Sequence, residues 1–196
     1  MKKILCFGDS NTWGYKPHLG TRYSETERWP TRLKTLLGEE WLLTENGQPG
    51  RTLCYEARSS GFVSGFDELT EALASQEWAC IIVMLGTNDL CSAFMPDVTE
   101  ITAKLEQALL GMDNQAAKIV VSPSAIITGG SFSQFFHGNE LLISDLADHY
   151  QRICNKYGWN FINGADLLTP DPTEGIHLTP ESHKALALSL YQIMSC

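Results

Sequence analysis

Five short apolar runs punctuate the chain: Ile4-Leu5-Cys6-Phe7, Trp41-Leu42-Leu43, Cys80-Ile81-Ile82-Val83-Met84-Leu85, Lys118-Ile119-Val120-Val121 and Trp159-Asn160-Phe161-Ile162. The third and fourth are almost unbroken and rich in β-branched residues. A strand with one wet face alternates apolar and polar positions, whereas a parallel strand covered by helices on both faces is apolar throughout. Between the runs, apolar residues recur at helical spacing. Residues 30–37 place Leu33, Leu36 and Leu37 on one side, and residues 66–75 do so with Phe66, Leu69 and Leu73. Residues 97–112 align Val98, Ile101, Leu105, Ala108, Leu109 and Met112, and residues 139–157 align Leu142, Leu146, Tyr150, Ile153 and Tyr157. A last helix is expected from Thr179-Pro180-Glu181, burying Leu186, Leu190 and Ile193. Threonine before proline is a favourable helix start, because proline lacks the N–H that the first turn leaves unpaired.

Strand and helix alternate from end to end without repeats, low-complexity tracts or linkers. This predicts one α/β domain over residues 1–196, three layers deep (α/β/α), around a five-stranded parallel sheet. At 196 residues the chain suffices for one sizeable core. In such folds ligands bind at the carboxyl ends of the strands, so residues carrying chemistry should follow strands rather than precede them. Four segments pass that test: Gly8-Asp9-Ser10-Asn11 after the first run, Glu45-Asn46-Gly47 after the second, Gly86-Thr87-Asn88-Asp89 after the third, and Glu174-Gly175-Ile176-His177 beyond the fifth.

The residue types in these segments point to acyl chemistry. A serine hydroxyl is a weak nucleophile until a base takes its proton, and an imidazole suits that task near neutrality. Ser10 is the candidate nucleophile, although a serine after a strand also serves as a turn or cap residue. His177 is the candidate base. Of the other histidines, His18, His137 and His149 sit in loops or on a helix with no acid placed to orient them as a local pair, and His183 falls within the last helix. Glu174, three residues before His177, is the candidate carboxylate to orient the ring, with Asp171 and Asp166 as nearby substitutes. The Asn88 side chain and the backbone N–H groups of Gly47 and Ser10 could hold a developing oxyanion, while Gly47 and Asn88 could equally be turn and cap residues.

Charge and composition then narrow the partners. With 23 acidic against 14 basic residues, the net charge is −9 and no basic stripe offsets it, so no nucleic-acid partner is expected. The opening MKKILCFGDS has an apolar stretch too short for a signal peptide, and no apolar run approaches the roughly 18 residues that span a bilayer. The expectation is a cytoplasmic protein with no membrane partner. Six cysteines, at 6, 54, 80, 91, 154 and 196, form no C-x-x-C pair, which favours reduced thiols over zinc or disulfides. No phosphate-binding glycine motif of either common kind follows a strand, so a nucleotide or flavin cofactor is disfavoured.

The blocks F-G-D-S-N-T-W-G at 7–14, N-G at 46–47, L-G-T-N-D at 85–89 and G-I-H-L-T at 175–179 resemble the four signature blocks of the SGNH (GDSL-type) hydrolases, in order and across essentially the whole chain. The first block's lead-in, Arg51-Thr52, and the Phe-rich segment after the fourth strand resemble its arylesterase-like branch. The resemblance implies a flavodoxin-like sheet and no metal or other cofactor. It also implies a serine esterase that hydrolyses a small-molecule ester through an acyl-enzyme on Ser10, with acyl transfer to alcohols as a variant. The compact chain points to short acyl groups, acetyl above all. Two positions depart from the pattern: Asn11 replaces the leucine of G-D-S-L, and Glu174 replaces an aspartate. The glutamate leaves open a non-catalytic small-molecule or carbohydrate binder on the same scaffold. Trp13, Phe135 and Phe136 are candidate substrate-binding residues, while Phe132, Phe135 and Phe136 equally suit a homo-oligomer interface. Arg51 could meet an anionic substrate or a surface acid.

Overall fold

The computed structural model describes residues 1–111 and 115–195. Five strands form the central sheet: β1 (Lys2–Gly8), β2 (Trp41–Gly47), β3 (Cys80–Met84), β4 (Ala117–Val121) and β5 (Asn160–Ile162). Their spatial order is β2-β1-β3-β4-β5, with every neighbouring pair parallel. This is the flavodoxin-like order, in which the chain grows first to one side of β1 and then to the other. The connections leaving β1 and β3 therefore diverge, and a crevice opens outside the carboxyl ends of these central strands.

The helices are α1 (Ser10–Trp13), α2 (Trp29–Leu37), α3 (Phe66–Ala74), α4 (Val98–Leu110), α5 (Leu142–Tyr157), α6 (Gly164–Leu167) and α7 (Pro180–Met194). Along β1, Leu5 and Phe7 point into a core with Leu69 and Leu73 of α3, Leu105 of α4 and Tyr150 of α5. Ile4 and Cys6 point the other way, onto Trp29 and Leu33 of α2 and Leu186 and Leu190 of α7. Strand side chains alternate between faces, so two covered faces leave no polar positions in β3, every residue of which is buried. Each fully buried Ile, Leu or Phe contributes about 1.5–3 kcal/mol. The edge strand β2 differs, alternating half-buried and exposed positions over its first four residues.

The long helices match the expected spans to within a few residues. Thr179 caps α7 by accepting the Ser182 N–H, with Pro180 in the first turn. Residues 139–141 form a turn ahead of α5 rather than its first residues, and Leu142 donates back to the Asn139 carbonyl. Met112 and Cys196 lie outside the described residues. The five described cysteines are free thiols. Two short strand pairs escaped the sequence pattern: Tyr15–Lys16 with Thr21–Arg22, and Arg51–Thr52 with Val63–Ser64. Among the described residues no helix is long and apolar enough to cross a membrane.

Candidate active site

The nucleophile candidate is set by the turn that ends β1. Asp9 caps α1, its carboxylate accepting the Asn11 N–H at 2.9 Å and its carbonyl accepting the Trp13 N–H at 2.9 Å. Gly14 closes the turn by donating to the Ser10 carbonyl at 2.9 Å. Ser10 thus opens a single rigid helical turn at the sheet edge. Burial pushes the Asp9 carboxyl up to about 6, against the Asn11 hydrogen bond and the nearby His177, which pull it down.

His177 comes from the loop between α6 and α7. Asp171 organises that loop: its N–H donates to the His177 carbonyl at 2.8 Å, and its carbonyl accepts the Gly175 N–H at 2.7 Å. The 127–132 segment pairs with it from outside, Ile127 donating to Gly175 and Phe132 to Glu174, both at 2.9 Å. The loop delivers the imidazole to Ser10: His177 Nε2 lies 2.9 Å from Ser10 Oγ, and Nδ1 lies 2.7 Å from Glu174 Oε2. Ser10, His177 and Glu174 are 7%, 4% and 1% exposed. An ionised carboxylate can only accept, so Nδ1 carries the proton and Nε2 is left to accept from the serine hydroxyl.

The extra methylene of Glu174 is accommodated within this geometry. Neither substitute acid orients the ring: Asp171 meets His18 Nε2 at 3.1 Å, and Asp166 accepts from Asn163 at 2.8 Å. His18 therefore has an acid partner after all, from across the chain. His183 is fully buried on α7, where its Nδ1 accepts the Trp29 N–H at 3.3 Å. Burial pushes His183 down to about 3, so it is neutral.

Asn88 sits in the turn after β3, and one N–H of its carboxamide donates to the Arg51 carbonyl at 2.9 Å. Ser10, Asn88 and His177 line one cavity of about 360 Å³. Asp89 beneath it accepts the N–H groups of Leu53 and Cys54, at 2.9 and 2.8 Å, and burial pushes its carboxyl up to about 6.

Gly47 does not line that cavity. It ends β2 opposite Gly8, and a Cβ there would overlap the backbone nitrogen of Trp13, so its bareness seats α1 against the sheet. Gly50 is the glycine that lines the cavity with Ser10 and Asn88. Its φ of +76° is the left-handed region that favours glycine, and a Cβ would overlap the Gly61 carbonyl oxygen. The N-G pair in the sequence drew attention to the first glycine. The turn that presents the second becomes visible only when segment 50–63 folds back on itself.

Phe135 and Phe136 line the cavity as expected, together with Phe132 and Phe62, while Trp13 does not. Trp13 instead packs under the Arg22 guanidinium, 5.5 Å from its ring, and its carbonyl accepts from Arg22 Nε at 2.7 Å. The ring that covers the imidazole is Tyr15, stacked on His177 at 3.9 Å between centroids and tilted by 21°. Phe132 meets the same imidazole edge-on at 5.4 Å. Tyr15 carried no signal in the sequence. Arg51 does not line the cavity: its guanidinium donates to Gly8 and Asn46 carbonyls at 2.9 and 2.7 Å and to Glu68 at 2.6 Å, tying the ends of β1 and β2 together. No Lys, Arg, Asp or Glu lines the cavity. Among the described residues no three His, Cys, Asp or Glu side chains gather as a metal ion would require.

The GDSL-like lipase/acylhydrolase family matches the sequence over residues 6–185. No curated relative matches it. Among solved structures, a carbohydrate acetylesterase from Sinorhizobium meliloti superposes with a TM-score of 0.90 at 26% identity, over 100% of this chain and 99% of that one. The aryl esterase of M. smegmatis gives 0.87 at 26% identity, over 100% and 99% of the two chains. A protein described as a putative arylesterase, from Agrobacterium tumefaciens, shares the fold with a TM-score of 0.87 at 24% identity, over 100% and 99%.

Proposed function

The chain belongs to the GDSL-like lipase/acylhydrolase family and is a carboxylic ester hydrolase, and from that premise we propose that it cleaves small neutral esters through an acyl-enzyme on Ser10. The observation that carries this reading is the buried line of contacts Ser10 Oγ–His177 Nε2–Glu174, at 2.9 and 2.7 Å. The Ser10 proton passes to His177 Nε2 while Oγ bonds to the ester carbonyl carbon, and the carbonyl π electrons move onto oxygen. In this reading the backbone N–H groups of Ser10 and Gly50 and the side-chain amide of Asn88 receive that oxyanion; Gly50 takes the role in place of Gly47 because it borders the cavity with Ser10 and Asn88. Collapse of the tetrahedral intermediate breaks the C–O bond to the leaving alcohol, which takes the proton from His177. Water repeats the sequence on the acyl-enzyme, giving the acid and restoring the serine. Glu174 holds Nδ1–H in place as the ring becomes charged.

The cavity supports the choice of substrate. At about 360 Å³, walled by aromatic and aliphatic groups and bare of charged side chains, it suits a short acyl group on an uncharged alcohol, acetyl above all. An anionic ester would lose its hydration to apolar walls with no cation to meet it. The same acyl-enzyme hands its acyl group to an alcohol that displaces water from this apolar site. Hydrolysis of p-nitrophenyl esters tests the reading: activity peaks at two to four acyl carbons, and Ser10→Ala abolishes it together with labelling by a fluorophosphonate. Full activity in Ser10→Ala rejects the acyl-enzyme, and an optimum at eight carbons or longer rejects the short-acyl assignment.

A further inference from the structure

Asn11 follows the nucleophile, and its buried side chain reaches over to the loop that carries His177. Its Nδ2 donates to the Ile176 carbonyl at 3.2 Å, and its Oδ1 accepts the Leu178 N–H at 3.0 Å. One carboxamide therefore holds the residues on both sides of the imidazole, in the donor–acceptor pattern of a strand edge. The root of this clamp is fixed too, because the Asn11 N–H is bonded to the Asp9 carboxylate that caps the nucleophile turn.

We propose that Asn11 is a positioning residue that sets the separation between nucleophile and base, an inference resting on the reading of Ser10 and His177 given above. The two residues are 167 positions apart in sequence, and a single hydrogen bond joins them directly. A misplacement of about 1 Å costs on the order of 100-fold in rate, so something besides that bond must hold the loop. A carboxamide is suited to this because it carries a donor and an acceptor at fixed spacing. Aspartate offers acceptors only and would set a carboxylate oxygen against the Ile176 carbonyl. Leucine, which stands after the serine in the G-D-S-L signature, offers neither group and would leave both buried loop atoms unpaired. Tyr15 covers the ring and Glu174 turns it, but Asn11 ties its backbone to the element that bears the nucleophile.

Kinetics of purified Asn11→Leu and Asn11→Asp on p-nitrophenyl acetate test this, alongside thermal melting. Both variants lose roughly 10- to 100-fold in kcat, with KM held within about two-fold. Fluorophosphonate labelling of Ser10 slows by the same factor. A low-field proton NMR resonance from His177 Nδ1–H is expected in the parent protein, given its 2.7 Å contact with Glu174, and is expected to broaden in the variants as the ring loses its fixed seat. Leu109→Ala, a core change in α4, serves as a control of comparable melting loss and retains kcat and the resonance. Parent-like kcat and resonance in a folded Asn11 variant, or a loss no larger than the control's, overturns the proposal. Should Asn11→Leu fail to fold, Asn11→Asp is read by the same criteria. Retained activity in Ser10→Ala is a separate result, which removes the reading beneath the proposal.

Discussion

The nucleophile turn and the base loop reach the same point by opposite means. The turn at residues 9–14 is shaped by its own neighbours: Asp9 caps, Gly14 closes, and these bonds span two to four residues. Residues 170–178 have the local bonds of Asp171 but are also held from afar, by Asn11, by the 127–132 segment and by the stacked ring of Tyr15. A locally determined turn survives changes elsewhere in the molecule, whereas a loop held by distant groups answers to each of them. Damage to the nucleophile side should therefore be nearly all-or-none, while damage to the base loop should be graded and spread over many residues.

The largest test of that contrast lies within the loop itself. Glu174→Gln keeps the shape but replaces an acceptor with an amide that presents either a donor or an acceptor to Nδ1, so the tautomer is no longer imposed. The expected loss is about 10²- to 10⁴-fold in kcat, with the melting temperature little changed. Equal rates for the two proteins would mean that backbone contacts alone orient the ring. On the nucleophile side, Gly47→Ala drives a methyl into the backbone of Trp13. It should cost about 1–3 kcal/mol in stability and lower kcat in parallel, which urea denaturation and steady-state kinetics measure together. Unchanged kcat in a destabilised Gly47→Ala protein would show that α1 tolerates displacement and would weaken the contrast.

Legibility in the sequence follows the same division. The strands, the five long helices and the four ligand-edge segments were readable because apolar periodicity and caps are local properties. Thr179-Pro180 announced α7, and Gly8-Asp9-Ser10 announced the turn after β1. Ser10, His177, Glu174 and Asn88 were readable because topology sends the residues after β1 and β3, and those before α7, to one edge. Gly50, Tyr15 and the clamp of Asn11 were not, since each acts through contact with a segment remote in sequence. Gly47 and Trp13, which stand within or beside the motifs, do not border the cavity, whereas Gly50, Phe132 and Phe62 do. Which glycine and which rings border it is decided by tertiary folding. Arg51 likewise turns its two terminal guanidinium nitrogens to the ends of β1 and β2, to Gln48 and to Glu68, a choice no local spacing encodes.

Just beyond the base loop, His183 offers a smaller effect with a definite sign. Its folded-state pKa is about 3, against an ordinary value of 6.5. Between those values the unfolded chain binds a proton that the folded protein refuses, so this group's contribution to stability falls as the pH drops from 6.5 toward 3. Asp9 and Asp89, pushed up to about 6 by burial, contribute in the opposite direction between their ordinary value and 6, so total stability hides the histidine. Comparison with His183→Leu isolates it. The stability gap between the two proteins in urea should shrink by about 2 kcal/mol from pH 7 to pH 5. A gap independent of pH would mean that folding does not lower the pKa of this imidazole.

The smallest effect belongs to Tyr15, and it bears most directly on how the base loop is held. Its ring lies nearly parallel to the imidazole at 3.9 Å, and such pairs are worth about 0.5–1.5 kcal/mol beyond the area they bury. During the reaction the imidazole gains a positive charge, which an aromatic face stabilises further. Tyr15→Leu should therefore lower kcat about 3- to 10-fold, and Tyr15→Phe should restore it, since the effect comes from the ring face rather than the hydroxyl. Phe132→Leu, which removes an edge-on contact at 5.4 Å, should cost less. If the leucine and phenylalanine variants of Tyr15 were equally slow, the hydroxyl would be the active part. If both matched the parent, the loop's placement would rest on its hydrogen bonds to Asn11, Ile127 and Phe132, and the contrast between the two regions would reduce to backbone contacts alone.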